Sequence, residues 1–442
     1  MGIILNRVDI LINGCIILPM SCRAIIEDGA IAIKNGRIVF VGSSVSAEGI
    51  YAEELMDAHG KAALPGLVNC HTHVPMTLFR GLAEDKPLET WLKETIWPLE
   101  ARLTREDIYA GALLGCLEMI KSGTTCFADM YFHEDAVAEA VKQCGLRAVL
   151  AEGIIEAGDY AAGEKMLKNS IDFAEKFNGY ADNRVKAMLG PHAAYSCSPI
   201  LLEKVRNETV DHGLGIHIHL AESIELFREF ENKYGCSETQ FLDRLGFFDV
   251  HVLAAHCINM SEEDKRVLAD RQVNVAYVPV ANMKLGLGSA RVKELMDLNV
   301  NVCLGTDGPA SNNTLDMFDT IKIGALLQKH TYRDPAVLPA YQVLRMATIN
   351  GARALGLENE LGSIEVGKRA DIILIDLSKP HLKPLHDIYA CLVYSARGSD
   401  VDTVIVDGKI LMKDKEVKTL DEHEVMKKAE KHSTALLSRT YN

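Results

Sequence analysis

Polar residues gather at five places where an apolar run ends: Asn69-Cys70-His71-Thr72-His73, Gly190-Pro191-His192, His217-Ile218-His219-Leu220-Ala221-Glu222, Ala255-His256 and Gly305-Thr306-Asp307-Gly308. Imidazole nitrogens with a carboxylate suit a divalent first-row metal ion. Side chains two apart on a strand share a face, so His71 and His73 can grip one ion together. A single HxH pair means little, since the chain's fifteen histidines would give about 0.5 such pairs by chance. Any one of these histidines, taken alone, reads better as a capped or hydrogen-bonded loop residue. The set is harder to dismiss, because several histidines and an aspartate all follow apolar runs of the same kind.

Those runs are the elements that must position the chemistry. About eight short apolar segments, beginning near Leu64, Thr124, Arg147, Val185, Leu214, Val250, Val273 and Val300, alternate with helix-length amphipathic stretches. This is the pattern of repeated βα units, and eight of them close a (β/α)8 TIM barrel whose active site lies at the C-terminal strand ends. The interval 74–123 exceeds one helical return and is expected to add a lid or pocket wall. Residues 8–60 read instead as short strands with hairpin signals at Asp28-Gly29 and Asn35-Gly36, and the same texture returns after Gly367 around Asp407-Gly408. The expected architecture is α/β: a β-sandwich domain built from both chain ends (1–60 and 367–418), a metal-dependent barrel (61–366) and a charged C-terminal helix (419–442).

With 442 residues, 48% hydrophobic and 24% charged, the chain has material for one large barrel with an accessory domain. A formal charge of −14, with no basic run interleaved with aromatics, argues against nucleic acid as a partner. Eleven cysteines lack the paired spacing of a disulfide framework or a CxxC zinc site, which fits a reducing cytoplasm. The apolar start is broken by Arg7, Asp9 and Asn13 and reads as a strand, not a signal peptide. No stretch approaches the roughly twenty apolar residues that span a bilayer. A homo-oligomer is compatible with a barrel of this size, and nothing in the sequence decides it.

The HTH after PGLVN, then HIHLAE, AAH and GTDG in this order, resembles the amidohydrolase superfamily. Within it, GTDGPASNNTLDMF resembles the methylthioadenosine/S-adenosylhomocysteine deaminase family, which includes the 5'-deoxyadenosine deaminases; the likeness runs from about residue 8 to residue 415. The resemblance implies that His71, His73, His219 and Asp307 hold one metal ion, usually zinc, with Fe2+ or another first-row ion as alternatives. Binuclear relatives carry a lysine on the fourth strand; here only Lys186, early in that run, is available, so one ion is expected. The ion would lower the pKa of a bound water toward 7 for attack on the carbon bearing the amino group. Glu222 would shuttle protons among water, ring nitrogen and leaving amine, with Asp307 and His256 accepting a proton and orienting the water. A solvated loop carboxylate is the plainer reading of Glu222.

The resemblance also implies substrate contacts: Trp91 against the nucleoside, Glu100 on the ribose hydroxyls and His192 at the purine. In plainer terms Trp91 and Trp97 are core residues of a helix face, and Glu100 caps or solvates a helix. Where relatives commonly carry an arginine for the carboxylate of S-adenosylhomocysteine, this chain has Ala151-Glu152-Gly153. A carboxylate there would repel that substrate and favour uncharged 5' groups, as in 5'-deoxyadenosine, methylthioadenosine or adenosine. The loop after the seventh strand also departs from the family pattern, reading Tyr277 to Lys284 with Pro279, Asn282 and Lys284 kept. The alternatives are an amidohydrolase acting on guanine, a pterin or a triazine, and a catalytically inactive binding barrel. Glu222 favours deamination over displacement of a better leaving group, which needs less acid catalysis.

Overall fold

In the computed structural model, which describes residues 7–82 and 84–441, the alternating apolar residues near the N-terminus pair into strands β1 (Arg7–Ile17), β2 (Ile26–Lys34), β3 (Arg37–Ser43), β4 (Tyr51–Asp57) and β5 (Lys61–Pro65). The near-continuous apolar runs that follow form β6 (Leu67–Thr72), β7 (Thr124–Tyr131), β8 (Arg147–Ile154), β9 (Val185–Pro191), β10 (Gly215–Leu220), β11 (Val252–His256), β12 (Asn274–Tyr277) and β13 (Asn301–Leu304). The C-terminal segment adds β14 (Ile372–Asp376), β15 (Val401–Val406), β16 (Lys409–Lys413) and β17 (Glu416–Val417).

Among the described residues these strands make two sheets. Strands β6 to β13 run parallel in sequence order, with helices in the connections, as expected for a barrel covered on its outer face. The other nine form one mixed sheet that draws on both chain ends: β14 lies antiparallel to β5, and β1 joins β2, β4 and β5. Ile12, Ile17, Ile31 and Ile33 from one end share a buried cluster with Ile372, Leu374 and Ile405 from the other. A smaller cluster of Val8, Leu11, Ala30, Ala32 and Ala47 belongs to the N-terminal end alone.

Two details differ from the sequence reading. Leu64 lies in β5 of the terminal sheet, so the chain passes into the barrel at Gly66 and not at residue 61. Gly66 sits so close to Thr125 that a Cβ there would lie 2.0 Å from its hydroxyl oxygen, which only glycine tolerates. Asp28-Gly29, read as a hairpin turn, lies inside β2, where Gly29 pairs with Cys15 across an irregularity in β1 and makes room for the Ile17 side chain. The turns at Asn35-Gly36 and Asp407-Gly408 do form, with positive φ at all four residues, as tight right-twisted hairpins require.

The interval 74–123 opens with a 3-10 turn (Val74–Phe79), then runs through short helical turns from Leu88 to Glu100, with a π-turn at Leu92–Ile96, into the helix Arg105–Lys121. The C-terminal helix Glu422–Tyr441 packs on that last helix and on the 3-10 turn: His432 pairs with Asp107 at 2.8 Å, and Ser433 donates to the Leu78 carbonyl at 2.9 Å. Among the described residues no helix is long and apolar enough to cross a membrane.

Strands β13 and β6 close the barrel through side chains. The Asn69 amide donates to the Thr306 hydroxyl (2.7 Å) and accepts from the Thr306 backbone N–H (3.0 Å). One residue on, the Asp307 N–H donates to the His71 carbonyl (2.9 Å), and the Thr72 hydroxyl donates to the Asp307 carbonyl (3.1 Å). Asn69 and Thr306 are fully buried, so losing one partner leaves the other desolvated. Asn69→Ala is therefore expected to cost about 1–3 kcal/mol and to lower the thermal midpoint; an unchanged melting curve would show that the seam closes without this pair.

Candidate active site

The barrel brings His71 and His73 from the end of β6, His219 from β10, His256 from β11 and Asp307 from just past β13 to one rim. Ligand atoms of His71, His73 and His219 lie within 4.8 Å of one another, as do those of His71, His256 and Asp307. The Nε2 atoms of His73 and His219 face each other at 3.4 Å, and the Asp307 Oδ1 is 3.4 Å from His73 Nε2 and 3.8 Å from His71 Nε2.

Protonation makes this arrangement specific. The His73 Nδ1–H donates to the Met130 carbonyl at 2.6 Å, and the His219 Nδ1–H donates to the His192 carbonyl at 2.8 Å. A carbonyl only accepts, so both rings hold their proton on Nδ1 and turn an Nε2 lone pair to the centre. His71 Nε2 is buried and has no hydrogen-bond partner. Burial, and then the neighbouring imidazoles, hold His71 and His219 well below the ordinary histidine range, and burial also lowers His73. Neutral imidazoles with converging lone pairs and a carboxylate are what a divalent cation requires, so the residues present fit one ion. Lys186 is not among them; its ammonium donates to Asn183 at 2.7 Å.

The turns at these strand ends are strained. Ala221, His256 and Asp307 hold φ of 51°, 74° and 65°, left-handed conformations that non-glycine residues keep only where the surroundings enforce them. A buried Glu238 carboxylate accepts the Ala221 N–H at 2.9 Å, Cys257 N–H donates to the Leu220 carbonyl at 2.9 Å, and the seam fixes Asp307. Before them, Val74 N–H donates to the buried Asp129 carboxylate at 2.7 Å and anchors the residue after His73.

Glu222 follows Ala221 into the same chamber, its Oε1 3.7 Å from His256 Nε2. Burial raises its pKa, and the nearby His256 acts in the opposite direction. The other His256 nitrogen is 3.0 Å from the Asn282 amide oxygen. Trp91, Glu100 and His192 line the chamber too. Trp91 is buried with its indole N–H unpartnered, which a purely core tryptophan would avoid. Burial pushes the Glu100 carboxyl up to about 7, against a 2.8 Å hydrogen bond from the Tyr131 hydroxyl. His192 Nδ1 lies 3.0 Å from the Ser196 hydroxyl, and burial lowers its pKa to about 4.

Glu152 is placed differently from the rest. It lines a second, outer chamber that shares Trp97, Glu100, Phe132, Ile155, His192 and Tyr195 with the inner one. Its two oxygens accept the backbone N–H groups of His133 (3.0 Å) and Glu134 (2.7 Å), and burial pushes it up to about 7. The carboxylate thus caps the helix Glu134–Cys144 while it sits in the chamber wall. Sequence reasoning gave no role to His217, Glu238, Asp129 or the Asn69–Thr306 pair. Only His217 had a signal, the second HxH pair, whose period places it on the same strand face as His219.

The amidohydrolase family model matches residues 62–411. Over 437 residues the chain is 47% identical to a 5-methylthioadenosine/S-adenosylhomocysteine deaminase of Desulforamulus reducens, spanning 98% of this chain and 100% of the relative. It is 48% identical over 432 residues to a 5'-deoxyadenosine deaminase of Methanosarcina mazei, spanning 98% and 99%. An adenosine deaminase from Xanthomonas campestris, solved with bound zinc, superposes with a TM-score of 0.94 at 34% identity, covering 98% of this chain and 99% of its own.

His219→Ala and Asp307→Ala are each expected to lose bound metal and turnover together, as read by elemental analysis beside an ammonia-release assay. Full metal content in either variant would show that the ligand set lies elsewhere.

Proposed function

The chain belongs to the amidohydrolase family, and from that premise we propose that it is a hydrolytic deaminase of adenosine-type nucleosides that works with one divalent ion, zinc before iron. The observation that carries this reading is the convergence of imidazole nitrogens and the Asp307 carboxylate beside a half-buried Glu222 in one chamber. The ion, when bound, supplies Lewis acidity that makes a water nucleophilic near neutral pH.

The chain's own residues do the rest. Trp91, Glu100 and His192 line the chamber around a purine nucleoside, with Trp91 offering a free N–H, Glu100 a carboxyl for the ribose hydroxyls and His192 a neutral ring for the base. Glu222 takes a proton from the attacking water and delivers it to the ring nitrogen, as the new C–O bond forms at the carbon bearing the amino group. Glu222 then takes the second proton of the same water from the newly added hydroxyl and passes it to that amino group, so that the C–N bond breaks with release of ammonia and the hydroxyl becomes the inosine-type carbonyl. A carboxyl whose pKa is raised by burial suits both the accepting and the giving step. His256, held from behind by Asn282, faces Glu222 and orients the water.

The outer chamber supports a preference for uncharged 5' groups. Its lining includes Leu103, Phe132, Ile155 and Met166 and neither lysine nor arginine, so the carboxylate of S-adenosylhomocysteine would find no cationic partner. 5'-Deoxyadenosine, methylthioadenosine and adenosine are the favoured substrates. All eleven cysteines are unpaired, which supports a reducing cytoplasm as the site of action.

Glu222→Gln is expected to keep its metal and to lose most turnover, by a factor of about 10²–10⁴; near wild-type kcat would remove Glu222 from the reaction. Because Glu152 holds two backbone N–H groups, the charge argument is better tested at Asn169, an exposed helix residue on the chamber wall. Asn169→Arg is expected to raise kcat/KM for S-adenosylhomocysteine relative to 5'-deoxyadenosine, and an unmoved ratio would show that the 5' group lies elsewhere.

A further inference from the structure

We infer that His217 is a positioning residue that decides which nitrogen His71 turns to the metal. The inference rests on the proposed metal-binding role of the site. His217 and His219 lie two apart on β10 and share a strand face, His219 at the rim and His217 one layer deeper. Both are buried, and His217 Nε2 lies 2.9 Å from His71 Nδ1.

The three candidate histidine ligands differ in how the far nitrogen is held. His73 and His219 donate to the carbonyls of Met130 and His192, which can only accept and so leave no choice of tautomer. His71, the most deeply placed of the three, has another imidazole as its partner, and an imidazole nitrogen either donates or accepts. If His217 donates from Nε2, His71 must accept at Nδ1 and carry its proton on Nε2, where it blocks the ion. If His217 accepts at Nε2, His71 holds its proton on Nδ1 and its unpartnered Nε2 presents a lone pair. His217 therefore serves as the acceptor, its own proton on Nδ1.

The test compares acceptors with non-acceptors at position 217 by chelator competition for zinc. The amide oxygen of glutamine reaches about as far as Nε2 and accepts the same N–H, so His217→Gln keeps zinc affinity within a few-fold of the parent, whereas His217→Leu weakens it by about 10–100-fold. His217→Phe, a ring of similar shape with no acceptor atom, takes the place of Leu if that variant does not fold. Equal affinity in the Leu or Phe variant and the parent overturns the inference, as does an equal loss in the Gln and Leu variants. A parent protein that takes up no divalent metal would instead refute the metal-binding reading itself, so the two failures are distinguishable.

Discussion

Three imidazole nitrogens and a carboxylate are held within a few ångströms of one another in one chamber, and much of the architecture serves that contact. Lone pairs that face each other at hydrogen-bond distance, with their protons committed to carbonyls behind them, repel unless a cation lies between. Burial alone does not produce the arrangement. It lowers the pKa of each ring and keeps it neutral, while the Met130 and His192 carbonyls choose the nitrogen that faces inward. Those carbonyls sit at or beyond the ends of β7 and β9, so the barrel positions the acceptors behind the rings as well as the rings themselves.

The barrel seam has a direct part in this geometry. Asp307 follows the last strand and His71 and His73 close the first, so their approach depends on how β13 meets β6. Asn69 and Thr306 fix that meeting through paired hydrogen bonds, and the next residue, Asp307, joins His71 through its backbone. A regular ladder would set the distance by strand register alone. Here two buried side chains set it, and the strained φ of Asp307 turns its carboxylate inward. The terminal sheet supports the same corner from outside: β5 runs into β6 through Gly66, and Gly66 N–H donates to the Asp371 carbonyl just before β14.

Much of this was legible in the sequence because its signals are local. Apolar runs ending in histidine, aspartate or glutamate mark strand ends, and HxH spacing marks a shared face. Hairpin residues with positive φ located two turns at the rim of the terminal sheet. The same reasoning failed at Asp28-Gly29, where glycine answers to the Ile17 side chain on a neighbouring strand and not to a turn. It placed Leu64 in the barrel because β5 and β6 form one apolar run, divided by a glycine whose reason for being glycine lies 59 positions away at Thr125. Asp129, Glu238 and the Asn69–Thr306 pair were invisible for the same cause: each earns its role only through a partner brought near by closure of the fold.

Glu152 shows how one position can carry two constraints. Its type was read from the sequence as a charge facing the substrate, and its side chain does stand in the wall of the outer chamber. Yet its oxygens are committed to the first N–H groups of a helix, where a carboxylate suits the positive end of the helix dipole. An arginine could not make that contact, since it has no acceptor. A chain with glutamate here therefore gains a capped helix and at the same time lacks a cation at this point of the chamber. Under the proposed function, discrimination against an anionic 5' group would need no residue whose only task is to repel it.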